Sequence, residues 1–227
     1  MSRIAGVVLL LCLNVHGSGQ NPDVQRMEIS LEKLEKTAGT QAVKVEPGHV
    51  FVAGDRIRFR FTPNFDGYLY VMSKGTSGAY SVLFPGADTG LDNHIRSAQT
   101  YLLPADADGW FGVTGPAGHD VVYFLVTPSR LTEGAIPTVP ALPPAQQPPI
   151  AMTPRCNDAI FRARGECVDS TAGPKAVGEQ ETLPRNLPAE HEASRDLVII
   201  RKDKTAVVSS PAPLSSPAIY EFHVAHK

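Results

Sequence analysis

The stretch from Gly54 to Met72 constrains this chain more than any other. Within it, Ile57, Phe59 and Phe61 alternate with Arg56, Arg58 and Arg60. A strand repeats every two residues, so the apolar set lines one face and the arginines the other. Pro63, Asn64 and Asp66-Gly67 interrupt the pattern as a turn. Tyr68 to Met72 then read as a second strand, and the two strands are expected to form a hairpin. The class this implies is antiparallel β.

The rest of the chain extends that class. Arg26 to Glu35 carries both a strand-like alternation (Met27, Ile29, Leu31) and a helix-like spacing (Leu31, Leu34). A turn at Ala38-Gly39-Thr40 and the alternating Gln41 to Val45 favour a hairpin. Short strands are expected at His49 to Val52, Tyr80 to Phe84, Tyr101 to Leu103 and Trp110 to Val113. Val121 to Val126 is continuously apolar, the pattern of a central strand buried on both faces. Near the end, Leu197 to Ile200, Thr205 to Val208 and Ile219 to Val224 read as three more strands.

Between these two groups the composition changes. Pro128, Pro137, Pro140, Pro143, Pro144, Pro148, Pro149 and Pro154 remove backbone donors and favour extended chain. A short helix is expected at Ala159 to Arg164, with Asn157 or Asp158 as its cap and Gly165 at its end. Thr171 to Ser194 is polar and reads as poorly ordered. The expected organisation is a signal peptide at 1–19, the first part of a β-sandwich at 20–128, a Pro-rich, partly disordered insert at 129–194, and strands at 195–227 that complete the sandwich. The expected fold is an all-β antiparallel sandwich, roughly immunoglobulin-like.

The signal-peptide reading rests on Arg3, the mostly apolar run Ile4 to Val15, and Gly17, Ser18 and Gly19 after it. That run is shorter than the ~20 residues a membrane helix needs, and no second long apolar run follows, so the mature chain is expected to lack an integral membrane segment. The expected location is secreted or periplasmic. Cys12 follows Leu10 and Leu11 rather than small residues and is read as part of the removed peptide. Cys156 and Cys167 then remain, and in an exported chain they are expected to form one disulfide. In the chain-entropy account, closing a loop of this size stabilises by roughly 3 kcal/mol. The net charge of −2 argues against nucleic acid as a partner.

Three motifs together resemble a bacterial family known as domain of unknown function 4384. They are the Gly54-Asp55-Arg56 strand start, the Asn64-Phe65-Asp66-Gly67-Tyr68 turn and the Leu83-Phe84-Pro85 stop. The similarity continues through Asn93, Ile95, Tyr101 to Pro104, Gly109-Trp110-Phe111 and Val121 to Val126, covering about residues 27 to 128. The resemblance implies a small β-rich extracytoplasmic module and assigns no catalytic residue. The insert from Pro128 to Ser194 departs from the compact family form.

The binding candidates are Arg56, Arg58, Arg60, Tyr68 and Tyr70. The arginines form either an anion site, through their planar donor forks, or an outer face paired to acidic residues on the next strand. Tyr68 and Tyr70 alternate with Leu69 and Val71, so they point outward if Leu69 faces the core. Asp106-Ala107-Asp108-Gly109 imitates the start of a calcium loop, but Trp110 and Phe111 break the required ligand spacing. Gly75-Thr76-Ser77-Gly78 is not a nucleophile elbow. His49, His94, His119, His191, His223 and His226 are scattered, with no helical zinc pair. No catalytic residue, metal or cofactor is expected. The functional expectation is an exported, non-enzymatic module that binds a protein partner or an envelope polymer. The alternatives are a structural envelope protein without a specific ligand, or a hydrolase whose site the sequence hides.

Overall fold

The computed structural model describes residues 24–35, 41–74, 80–106, 108–114, 116–131, 167–178, 196–211 and 216–227. The short helix expected at Ala159 to Arg164 lies outside them, as does most of the insert expected to be partly disordered. The described residues form strands and turns with no helix. In chain order the strands are β1 (Gln25–Glu35), β2 (Gln41–Val45), β3 (Val50–Phe51), β4 (Arg56–Pro63), β5 (Gly67–Lys74), β6 (Tyr80–Phe84) and β7 (His94–Ile95). They continue as β8 (Tyr101–Leu103), β9 (Phe111–Gly112), β10 (Gly118–Thr127), β11 (Gly173–Ala176), β12 (Val198–Lys202), β13 (Thr205–Ser210) and β14 (Ala218–His226).

Two sheets pack face to face as a β-sandwich. The first runs β12-β13-β1-β4-β8, with β2 also on β1 and β9 also on β4. The second runs β11-β14-β10-β5-β6, with β3 also on β14 and β7 also on β5. Period-two alternation supplies each inner face. Met27, Ile29, Leu31, Ile57, Phe59, Phe61 and Val208 meet Leu69, Val71, Val122, Phe124, Val126, Tyr220, Phe222 and Val224 in one core. Phe59 sits at its centre, edge-on to Phe124 at 5.3 Å and to Phe222 at 5.4 Å across the layers. Tyr220 stacks on Phe124 and donates its hydroxyl to Met27 Sδ at 2.8 Å. Burial raises the Tyr220 phenol far above its ordinary value, so it stays a neutral donor.

β1 and β2 do pair as an antiparallel hairpin, from Leu31 opposite Val45 to Glu35 opposite Gln41. The hairpin expected from β4 and β5 does not form. β4 lies in the first sheet and β5 in the second, so the turn between them crosses the sandwich. Both strands point apolar residues into the same core, one from each layer, and buried Phe65 packs between them. The crossing is tied to β1 by Asn64. Its Oδ1 accepts the Arg26 N–H at 2.7 Å, its Nδ2 donates to the Val24 carbonyl at 3.0 Å, and its own N–H donates to the Arg26 carbonyl at 2.9 Å. Asp66 Oδ1 accepts the Ser97 N–H at 2.7 Å on the far side.

The continuous apolar run of β10 is explained by burial on both faces. Its inward residues join the core, while Val121, Tyr123 and Leu125 join Tyr70, Met72 and Ile219 in a second cluster on the outer face of the second sheet. Leu131 and Val177 complete that cluster.

The expectation of poor order from Thr171 onward is corrected at its start. Gly173–Ala176 is β11, paired antiparallel to β14 with Gly173 opposite His223. Alternation gave no sign of it, because Gly-Pro-Lys-Ala has no apolar period and takes its order from the β14 ladder. Two glycines let the segment from 167 dock. A side chain at Gly48 would meet the Asp169 carbonyl at 2.6 Å, and Gly173 has φ +91° with the Arg201 guanidinium and Pro47 packed against it.

Candidate functional site

The arginine stripe resolves into an ion-paired ladder. β1 runs antiparallel beside β4, with Glu32 directly opposite Arg58. Glu32 Oε2 accepts from Arg58 Nε at 2.7 Å and Oε1 accepts from Arg60 Nε at 2.5 Å. The Glu32 side chain is 5% exposed, Arg58 10% and Arg60 34%. Burial alone raises the Glu32 carboxyl, but the hydrogen bonds and charges of Arg60 and Arg58 outweigh it and hold it below its ordinary value. The Arg58 guanidinium also lies 4.3 Å over the Trp110 ring, a cation–π contact. Arg56 is exposed and sits opposite Gly112. One carboxylate thus joins two of the three guanidiniums of this face, and Arg56 stays exposed.

The tyrosines lie elsewhere. Tyr68 is half-buried, with its ring 5.0 Å from His94. Tyr70 points away from the main core, as alternation requires, but is only 1% exposed. Its hydroxyl accepts the Leu131 N–H at 2.8 Å inside the second apolar cluster. Expecting Tyr70 to be a surface residue was wrong: the chain segments carrying Leu131 and Val177 cover it. The arginines and tyrosines also occupy different sheets, so Arg56, Arg58 and Arg60 do not converge with Tyr68 and Tyr70 on one site.

The structure does bring together residues that look scattered in sequence. His119 on β10 and His223 on β14 have ring centroids 5.8 Å apart. His119 Nε2 is 3.5 Å from Asp169 Oδ2 and 3.3 Å from Thr171 Oγ1. Asp169 Oδ1 accepts both the N–H and the hydroxyl of Thr171, at 2.7 and 2.6 Å. His223 Nε2 meets Glu221 Oε1 at 2.8 Å, and His226 Nε2 lies 3.4 Å from Asp120 Oδ2. All three histidines, Asp169 and Glu221 are buried. Burial lowers the His119 pKa; Asp169 opposes that shift, while His223, Lys175 and His226 add to it. Among the described residues no group of three or more His, Cys, Asp or Glu is placed to hold a metal ion. The one local sequence signal was Glu221-x-His223, two polar residues on one face of an otherwise apolar strand.

One strand edge also carries exposed apolar side chains. β12 is the end strand of the first sheet and pairs with β13. Its Val198 and Ile200 are each 57% exposed on one face. Arg201, Lys202 and Lys204 follow on exposed positions, and Arg201 Nη2 donates to the Ala172 carbonyl at 2.7 Å.

No helix among the described residues is long and apolar enough to cross a membrane. No curated protein and no solved structure matches the chain. Residues 50–130, from β3 through β10, match the family model described as Domain of unknown function (DUF4384), the family that the sequence motifs resemble.

Proposed function

We propose that this chain is an exported, non-enzymatic binding module that takes an extended segment of a partner protein onto the β12 edge. The observation that carries this reading is the pair Val198 and Ile200, each 57% exposed on an end strand. Exposed apolar residues on an end strand are a liability that folded proteins usually cover or charge, and strand addition is the recognition mode that uses them. The cations Lys202 and Lys204 beside the edge favour a segment with acidic residues at one end. Export is supported by the apolar run Ile4 to Val15, and a Cys156–Cys167 disulfide is part of the same proposal.

The test is selection from a displayed library of random extended peptides, with wild type compared against Val198→Lys/Ile200→Lys. Both side chains are exposed, so the fold tolerates the change. The expected result is enrichment of peptides that alternate apolar residues and carry an acidic end, with binding lost in the double variant. Equal binding by both proteins, or no enrichment of such peptides by wild type, refutes the reading.

A further inference from the structure

Residues 167–176 form a clasp along one edge of the second sheet. Its backbone is stitched to the β2–β3 turn: Val50 N–H donates to the Cys167 carbonyl at 2.8 Å and Asp169 N–H to the Gly48 carbonyl at 2.7 Å. Its last residues are β11, which covers the β14 edge from Tyr220 to His223. Between these two attachments the clasp buries a set of titratable groups against the sheet. Asp169, fully buried, faces His119. Lys175 lies opposite Glu221, whose carboxylate meets His223.

We propose that this clasp is an acid-opened latch, closed while His119 is neutral and released from β14 when it takes up a proton. Around His119 stand Asp169 and Thr171 from the clasp, Lys175 from β11, and His223 and His226 from β14; His223 in turn meets Glu221, His226 meets Asp120, and His49 of the neighbouring turn is bridged to Val168. Asp169 is the carboxylate beside His119, and it offsets only part of the burial cost of a charge there. Asp169 directs Oδ1 at Thr171, and Oδ2 makes no hydrogen bond although it lies 3.5 Å from His119 Nε2. His119 Nδ1 is buried without a hydrogen-bond partner, so a proton added there enters a site with no acceptor for it. An imidazolium at His119 would also be repelled by the Lys175 ammonium. Opening the clasp returns the ring to water and relieves that penalty.

The sign agrees with the lowered His119 value. A histidine harder to protonate in the folded state binds fewer protons than it does when solvated, so the closed form is fully favoured above the ordinary histidine range and loses ground as pH falls through it. The global core is not part of the switch. What opens is the β14 edge over residues 220–223, with Arg201 losing its bond to the Ala172 carbonyl.

The test is amide hydrogen exchange on the full chain at about pH 7.5 and about pH 5, compared as protection factors corrected for intrinsic rate. Protection over 172–177 should fall by about tenfold or more at the lower pH, while β4 and β5 keep theirs. In His119→Gln the drop should disappear. Equal protection of 172–177 at both pH values in wild type overturns the proposal whether or not the variant folds. So does an undiminished drop in a folded variant, or a parallel loss in β4 and β5.

Discussion

Glutamate 32 links two neighbouring arginines, and replacing it with glutamine tests whether the arginine face is structural. Glu32→Gln keeps the shape but removes the charge and turns one end of the group into a donor facing a guanidinium. Hydrogen bonds to charged groups contribute about 1.5–3 kcal/mol each, and breaking a buried ion pair by removing one partner costs about 3–5 kcal/mol. The Arg58 bond is buried and counts nearly in full, whereas Arg60 is 34% exposed and its share is screened by water. The expected loss is therefore about 3 kcal/mol, a fall of about 1–1.5 M in the urea midpoint at an m of about 2–3 kcal/mol/M. Arg60→Ala should cost about 1 kcal/mol or less. Because Glu32 is 5% exposed, about 1 M salt should leave most of the difference in place. Acid should erase it. The folded carboxyl lies below its ordinary 4.5, so its contribution is present above that value and is lost as pH falls through the lowered one. Wild type and Glu32→Gln should then converge in strongly acid solution. A midpoint for Glu32→Gln within about 0.2 M of wild type at pH 7 would refute the reasoning, as would a difference that salt abolishes.

Three further outcomes follow from single contacts. Tyr70→Phe should lose the bond from the Leu131 N–H and about 1–2 kcal/mol in thermal or urea unfolding, with no change in peptide binding at β12. Gly173→Ala should destabilise by about 1–3 kcal/mol, since φ is +91° and the new methyl would meet Arg201 Nη2 at 3.0 Å. Intact mass with thiol alkylation should show no labelled cysteine in the exported protein and two after reduction; two labelled before reduction would remove the Cys156–Cys167 pairing.

Local pattern made the strands readable and left their partners hidden. Ile57, Phe59 and Phe61 identify an inward face without showing which sheet it belongs to, and β4 and β5 end in different layers. What directs the crossing is Asn64, whose partners at Val24 and Arg26 lie 40 and 38 residues away. On the arginine face the sequence left an anion site and a paired outer face open, and the register places Glu32 opposite Arg58 on the next strand. Tyr70 was placed on the right side of its strand, but its cover comes from Leu131, 61 residues on, and from Val177. The buried histidines had no local signature because antiparallel register places His119 beside Ala225 and His223 beside Val121. Only when β10 and β14 pair do the two rings become diagonal neighbours on one face.

The most direct test of the binding account is amide exchange with a selected peptide bound. The account predicts new protection at amides of Val198–Lys202, with little change along β4 and β5. Protection gained on Arg56–Arg60 while β12 stays as it was would contradict it.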